Sequence, residues 1–243
     1  MLISDYTLAC SSVITLAPNH LSIHIIGEVY KVMPIAAVIS QKGGPGKSTV
    51  SMNLAVAAHL SDKSVAVLDT DPQCSISQWG DIREGEGITE PIVVAIPPSR
   101  LTQAIATTQE DNTDLVIIDT APFNSEGILT AARLSDICVV PCRPSILDLS
   151  AITTTLDLCS AAGAKVGLLL NAVKSRPQLY EATSVLKDLA ETDTNRQICP
   201  IALWDRTEYS KAVVDGLGVL EYSPTGKAAK EIKQLYKWLC ANV

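Results

Sequence analysis

The sequence predicts a doubly wound α/β fold, a mostly parallel sheet flanked by helices. Three observations carry that expectation. Short runs rich in Val, Ile, Leu and Ala alternate with helix-period segments along the 243 residues. The runs are nearly continuous in apolar residues and often end on a polar one (Asp69, Asp119, Asn171), as strands covered on both faces do. A glycine-rich stretch, Gln41 to Thr49, joins the first run to the first helical pattern, which is the setting a phosphate-binding loop needs.

The elements follow in order. Ile35–Ser40 is the first strand and Lys47–Leu60 the first helix, with the glycine-rich turn between them. Strands are expected at Val65–Asp69, Ile92–Ile96, Leu115–Asp119, Ile137–Pro141, Val166–Asn171 and Ile198–Ile201, each short and β-branched. Helices fill the gaps at Ser75–Arg83, Leu101–Glu110, Asn124–Leu134, Leu149–Ala162, Gln178–Glu191 and Tyr209–Asp215. Thr225–Cys240 closes the pattern, with Ile232, Leu235, Tyr236 and Leu239 forming an apolar stripe. Such alternation implies right-handed crossovers, with ligands bound outside the carboxyl ends of the strands. Asp69, Asp119 and Asn171 are therefore expected at one edge. No internal linker interrupts the pattern, so residues 33–243 are expected to form a single domain.

Residues 1–32 stand apart. They lack the basic start of a signal peptide, and Pro18-Asn19-His20 interrupts their apolar character. Met33 lies immediately before the first strand. Residues 1–32 are read as an extension the domain does not need; an ordered element packed on the domain is the alternative.

Composition narrows the function. The formal net charge is −7, which argues against a surface coated for nucleic acid. The excess of acids precedes Asn171; from there on Lys+Arg about equals Asp+Glu, which leaves room for a local basic patch. The seven cysteines form no C-x-x-C pair and a chain of this size needs no disulfide framework, so a reducing cytoplasm is expected. With three histidines, two of them before Met33, a His-based site is not expected. No apolar stretch reaches the length of a membrane span.

The chemistry concentrates in Gln41-Lys42-Gly43-Gly44-Pro45-Gly46-Lys47-Ser48-Thr49. Successive backbone N–H groups in such a loop form an anion nest, and the helix behind it adds partial positive charge. Gly43 to Thr49 are the candidate nucleotide contacts, with Lys47 for the β/γ-phosphates and Ser48 for Mg²⁺. The front of the loop departs from the ordinary pattern: Gln41 occupies the first glycine position, and a second lysine, Lys42, follows. Lys42 is either a cation reaching phosphate across a dimer interface, as an arginine finger does in trans, or a solvated surface lysine. Asp119 ends Leu115-Val116-Ile117-Ile118-Asp119 and is the candidate Walker B carboxylate for the metal. In Asp69-Thr70-Asp71-Pro72-Gln73, one carboxylate is expected near the metal's water shell and one at the attacking water; a helix N-cap at Asp71 is the alternative.

Taken together these residues resemble the ParA/MinD group of deviant Walker ATPases. The group's K-G-G-x-G-K-[ST] mark is matched by Lys42 to Ser48, its Asp-x-Asp-Pro-Gln segment by Asp69 to Gln73, and its Walker B Asp and following Pro by Asp119 and Pro122. The chain looks most like the small ParF-type partition ATPases, through Trp79, the stretch Pro144 to Ser150, Arg206, Tyr209, Gly216, Val219 and Glu221. The resemblance spans roughly Pro34 to the C-terminus. It implies Mg-dependent hydrolysis of ATP to ADP and phosphate, and an ATP sandwich homodimer with Lys42 on the partner's nucleotide. It also implies Asp71 as the hydrolytic carboxylate, Asp69 beside the metal, and Asn171 against adenine. Non-specific DNA binding by the ATP dimer, nucleoid association and a small centromere-binding partner of ParB or ParG type complete the implied picture. Arg206 is the implied DNA contact; Lys211, Lys227, Lys230, Lys233 and Lys237 are further candidates, the last four alternatively the solvated face of a packed helix.

Other readings remain. A MinD-like membrane-cycling ATPase needs an amphipathic helix beyond the folded domain, whereas Thr225–Cys240 follows the last strand closely and reads as the closing helix. A relative that positions another cargo would carry an identical ATPase. An iron–sulfur reductase needs a cysteine shortly after Asp119, where Thr120-Ala121-Pro122-Phe123-Asn124 stands. A biosynthetic ligase of the dethiobiotin synthetase type is disfavoured by Lys42 and the Asp-Pro-Gln segment.

Overall fold

The computed structural model describes residues 13–17, 20–25, 28–31 and 33–243. It divides into two compact units, Met1–Met33 and Pro34–Val243. In the first, β1 (Val13–Ala17), β2 (His20–Ile25) and β3 (Glu28–Lys31) form an antiparallel meander, with Leu16 opposite Leu21 and Ile23 opposite Tyr30. The rest of the stretch read as an extension, and Cys10, lie outside the described residues.

The second unit is built on a seven-stranded, all-parallel sheet. Its strands are β4 (Ile35–Val38), β5 (Val65–Asp69), β6 (Ile92–Ala95), β7 (Leu115–Asp119), β8 (Ile137–Cys142), β9 (Val166–Leu170) and β10 (Arg196–Ile198). The spatial order is β10-β9-β8-β4-β7-β5-β6. Helices α1 (Lys47–His59), α2 (Ser75–Gly85), α3 (Leu101–Glu110), α4 (Ser125–Leu134), α5 (Ile146–Ala162) and α6 (Arg176–Glu191) connect successive strands. After β10 come α7 (Thr207–Val214), α8 (Val219–Tyr222) and α9 (Lys227–Cys240).

The central strands β4, β5, β7, β8 and β9 are buried along their whole length, which is why they read as continuous apolar runs. The edges differ from the expectation of burial on both faces. In β6, Ile92 and Val94 are exposed, and in β10 all three residues are half-buried, because an edge strand has a neighbour on one side only. The last strand also ends earlier than expected. Cys199 donates to the Leu168 carbonyl, and Leu203 to Leu170, but Pro200 between them has no N–H to give, so the regular ladder stops at Ile198.

Helix α1 carries almost no exposed surface from Val50 to Ala58. It is sandwiched between the sheet and α8 and α9, whose Val219, Leu220, Ala228, Ala229, Ile232, Leu235 and Leu239 join its core cluster. The glycine-rich loop therefore leads into a helix buried over most of its length. Register brings the functional ends together: Asp69 lies opposite Asp119 across β5–β7, and Val38 opposite Asp119 across β4–β7.

Candidate functional site

The loop between β4 and α1 turns on two glycines in left-handed backbone, Gly44 (φ 84°) and Gly46 (φ 97°), conformations that side-chain-bearing residues rarely adopt. Among the described residues, the N–H groups of Gly43, Gly44 and Gly46 donate no hydrogen bond, so they are available to an anion. Lys47, the first residue of α1, is buried, and its Nζ lies 3.4 Å from the Lys42 carbonyl. Burial pulls the Lys47 ammonium below its ordinary pKa, opposed by the carboxylates of Asp119 and Asp71.

Asp119 lies at the bottom of the site with no exposure. Its Oδ2 accepts from Ser48 Oγ at 2.7 Å and its Oδ1 from Ser51 Oγ at 2.8 Å. Burial pushes the carboxyl up to about 7, against the two hydroxyls, which favour its charged form; neighbouring Asp69 raises it further and Lys47 lowers it. The set fits Mg-ATP on its own chemistry. Hard oxygen donors, the Ser48 hydroxyl and the Asp119 carboxylate, would hold Mg²⁺, and the free N–H nest with Lys47 would hold the phosphates. Bound Mg²⁺ supplies neutralisation of phosphate charge; the chain's own residues position the nucleotide and exclude competing geometries.

The remaining expected residues take distinct places. Thr49 is half-buried, and its carbonyl accepts from Asn53 Nδ2 at 2.8 Å. Asp71 is half-buried; its Oδ1 accepts from Gln73 N at 2.9 Å, and its Oδ2 carries no hydrogen bond among the described residues. The N-cap of α2 is Cys74, not Asp71.

Three of the expected residues are engaged by partners within the chain. Asp69 Oδ1 accepts from Asp71 N at 3.0 Å, and Oδ2 from Ser77 N at 3.1 Å and Ser77 Oγ at 2.9 Å, while its charge acts on neighbouring Asp119. It anchors the positive N-terminus of α2 and pins the Asp-Pro-Gln loop. Asn171 reaches the glycine-rich loop: Nδ2 donates to the Pro45 carbonyl at 2.7 Å, and Oδ1 accepts from Ala172 N at 2.9 Å. Arg206 is not a free cation. Its Nε donates to Glu231 Oε1 at 2.8 Å, while Glu231 Oε2 accepts from Tyr209 Oη and Trp204 N, each at 3.2 Å. That fork locks the start of α7 to α9.

Lys42 stands at the mouth of the loop, its side chain 40% exposed, in an ion pair with Asp148 of its own chain. Asp148 belongs to the first turn of α5, where Ser145 caps the helix and also donates to the carboxylate. Burial works against the Asp148 charge, but Lys42 and Ser145 outweigh it and hold the carboxyl below its ordinary range.

Asp148 and Ser51 are functional neighbours that motif reading passed over. Both carried a signal. Ser51 stands three residues after Ser48, hence on the same face of α1, and Ser145-x-x-Asp148 has the spacing of a helix start.

Residues 36–219 match the family model of the CobQ/CobB/MinD/ParA nucleotide binding domain. The chain belongs to this ParA/MinD family. It is 30% identical over 210 residues to the maintenance of carboxysome distribution protein A of Halothiobacillus neapolitanus, covering 82% of this chain and 93% of that one. It is 28% identical over 187 residues to protein ParA of Rhizobium radiobacter, covering 73% and 81%. Among solved structures, the septum site-determining protein MinD of Pyrococcus horikoshii, complexed with Mg-ADP, superposes with a TM-score of 0.68 at 18% identity, over 86% of this chain and 96% of that one. As a ParA/MinD family member, the protein is an ATPase with a nucleotide binding domain. Among the described residues no helix is long and apolar enough to cross a membrane.

Proposed function

We propose that this ParA/MinD ATPase is an ATP-gated switch: it dimerises on ATP, binds DNA without sequence preference, and segregates plasmid or chromosomal DNA with a small centromere-binding protein of ParB or ParG type. The observation that carries the reading is Lys42, a second loop lysine at the rim of the site, where its own loop's phosphates are already served by Lys47. Exposed apolar side chains flank it: Phe123 (79% exposed) follows the Asp119 strand, its N–H bonded to the Gln41 carbonyl, and Leu147 (77% exposed) precedes Asp148. A cation with exposed apolar residues on two neighbouring segments suits an association face closed by a second copy, in which Lys42 leaves Asp148 for the partner's nucleotide. Asp71, with an unbonded oxygen, is the carboxylate for the attacking water.

With Arg206 committed to Glu231, the surface best suited to DNA phosphates is the outer face of α9. Lys227, Lys230, Lys233 and Lys237 are all exposed there, and none makes an ion pair among the described residues. The same burial pattern speaks against membrane cycling, since the apolar stripe of α9 is spent in the core. The reading places the protein in the cytoplasm on the nucleoid, with ATP function residing in residues 33–243 and independent of 1–32. A second reading, positioning of a protein compartment in place of a replicon, is favoured by the similarity to a carboxysome distribution protein.

The test is co-sedimentation with random-sequence DNA in ATP, ADP and no nucleotide, with liposome flotation alongside. Retention on DNA with ATP alone supports the proposal; flotation with ATP, or equal DNA retention in all three states, contradicts it.

A further inference from the structure

Arg143 follows the last residue of β8 and stands beside the glycine-rich loop, where the motif residues leave it without a role. Its backbone is held on both sides. The Cys142 carbonyl accepts from Asn171 N at 2.8 Å, and the Arg143 carbonyl accepts from Ser145 N at 2.8 Å. Pro144 disfavours helical backbone at Arg143, and the Pro144 carbonyl accepts from Gln178 Nε2 at 2.9 Å. The side chain therefore leaves a fixed strap between β8 and the cap of α5.

The guanidinium reaches the loop. A Cβ placed on Gly44 would lie 4.0 Å from Arg143 Nη2, an ordinary van der Waals distance. Gly44 stands in left-handed backbone (φ 84°), and among the described residues its N–H is one of those left open in the nest. The cations around the loop are unequally committed. Lys42 is paired with Asp148, and Lys47 is buried within the fields of Asp119 and Asp71. Arg143 is exposed, and among the described residues its guanidinium makes no hydrogen bond or ion pair. Its charge does reach Asp148, whose carboxyl it helps to hold below the ordinary range, which sets it on the same rim as Lys42. Five N–H donors in a planar fork match phosphate oxygens, and the group is always charged. An oxyanion accepting from Gly44 N at about 2.9 Å lies within reach of a guanidinium hinged beside the same residue.

We infer that Arg143 is a further nucleotide-binding residue, a cation that meets phosphate oxygens on the Gly44 side of the loop. The phosphate belongs to the chain's own nucleotide or, where two copies close, to the partner's; the chemistry is the same. This rests on the reading of Gly43–Thr49 as the phosphate loop, and nucleotide binding by the wild type is the control for that reading.

The experiment measures displacement of fluorescent ADP from the full chain by AMP, ADP and tripolyphosphate, for wild type, Arg143→Lys, Arg143→Ala and Arg143→Glu. A contact to the chain's own nucleotide weakens ADP and tripolyphosphate by about 3–10-fold in the Ala variant and AMP by less. The losses rank Lys below Ala below Glu and shrink at high salt. A contact to the partner's nucleotide leaves these affinities at wild type. It instead raises, by about 10-fold in the Ala variant and further in the Glu variant, the protein concentration at which Asp71→Ala dimerises with ATP. A wild-type competition profile without that dimerisation defect would overturn the inference, as would a loss equal for AMP and tripolyphosphate. Urea melts accompany each variant, and a large loss of stability would mark Arg143 as structural and count against it. Failure of the wild type to bind ADP or tripolyphosphate would refute the loop assignment itself.

Discussion

At the scale of residues, the site is a cluster of buried charges that hold one another. Asp119, sealed under Ser48 and Ser51, titrates near 7, whereas an unfolded Asp titrates near 3.9. Between those values the folded protein keeps a proton that the unfolded chain has released. Stability of the nucleotide-free protein should therefore fall as pH rises from about 4 to about 7 and level off above that. Asp119→Asn, which cannot ionise, should remove most of that slope in urea melts across the range; an unchanged slope would contradict the assignment. Lys47→Ala should weaken nucleotide binding by roughly 100-fold or more in fluorescent-ADP titrations, because it strips the buried cation from the nest. Asp71→Ala should spare ATP binding and slow hydrolysis by roughly 100-fold, read as phosphate release; wild-type turnover would remove Asp71 from the chemistry. Much of this cluster was legible in the sequence, since a glycine loop after a strand and a carboxylate ending a strand are local patterns. Asp69, Asn171 and Arg206 were legible as polar residues at element ends, but the contacts they make were not. Their partners, Ser77, Pro45 and Glu231, are set by side-chain direction and by packing between elements, which spacing does not encode.

At the scale of elements, the helices around the site are tied by buried polar clamps. Arg83 of α2 is almost fully buried, stacks on Trp79 at 4.7 Å, and donates to Glu221 Oε1 and Oε2 at 2.9 and 2.8 Å and to the Gly216 carbonyl at 2.8 Å. The clamp joins the helix anchored by Asp69 to α8. Arg83→Ala leaves Glu221 without its cation in a half-buried setting and should cost about 3–5 kcal/mol in urea unfolding, as broken buried pairs do. A loss under about 1 kcal/mol would mean the pair is solvated as an exposed one is. Element order was readable because each buried strand announces itself by its apolar run. The exceptions share a physical cause. β10, whose bounds the sequence misplaced, lies at a sheet edge where half the surface is wet, and α8 is one short turn, capped through Glu221 accepting from Gly218 N at 2.8 Å. Neither short nor half-wet segments leave a strong period.

At the scale of the whole molecule, the proposed switch depends on what Lys42 does when ATP is bound. In the single chain it is held by Asp148 at the rim of the site, beside exposed Phe123 and Leu147. The ParA/MinD assignment and the loop geometry make the protein an ATPase; the step to a switch is that two copies close over two nucleotides. Lys42→Ala should leave ATP affinity within about 2-fold, because Lys47 and the nest remain, yet lower turnover at saturating ATP roughly 10-fold or more. The most direct test of the central claim is the sedimentation-velocity mass of the Asp71→Ala protein, in which ATP persists, with ATP and with ADP. Twice the 25.8 kDa chain mass is expected with ATP, and the single-chain mass with ADP. A single-chain mass in both, or a dimer that ignores the nucleotide, would contradict it.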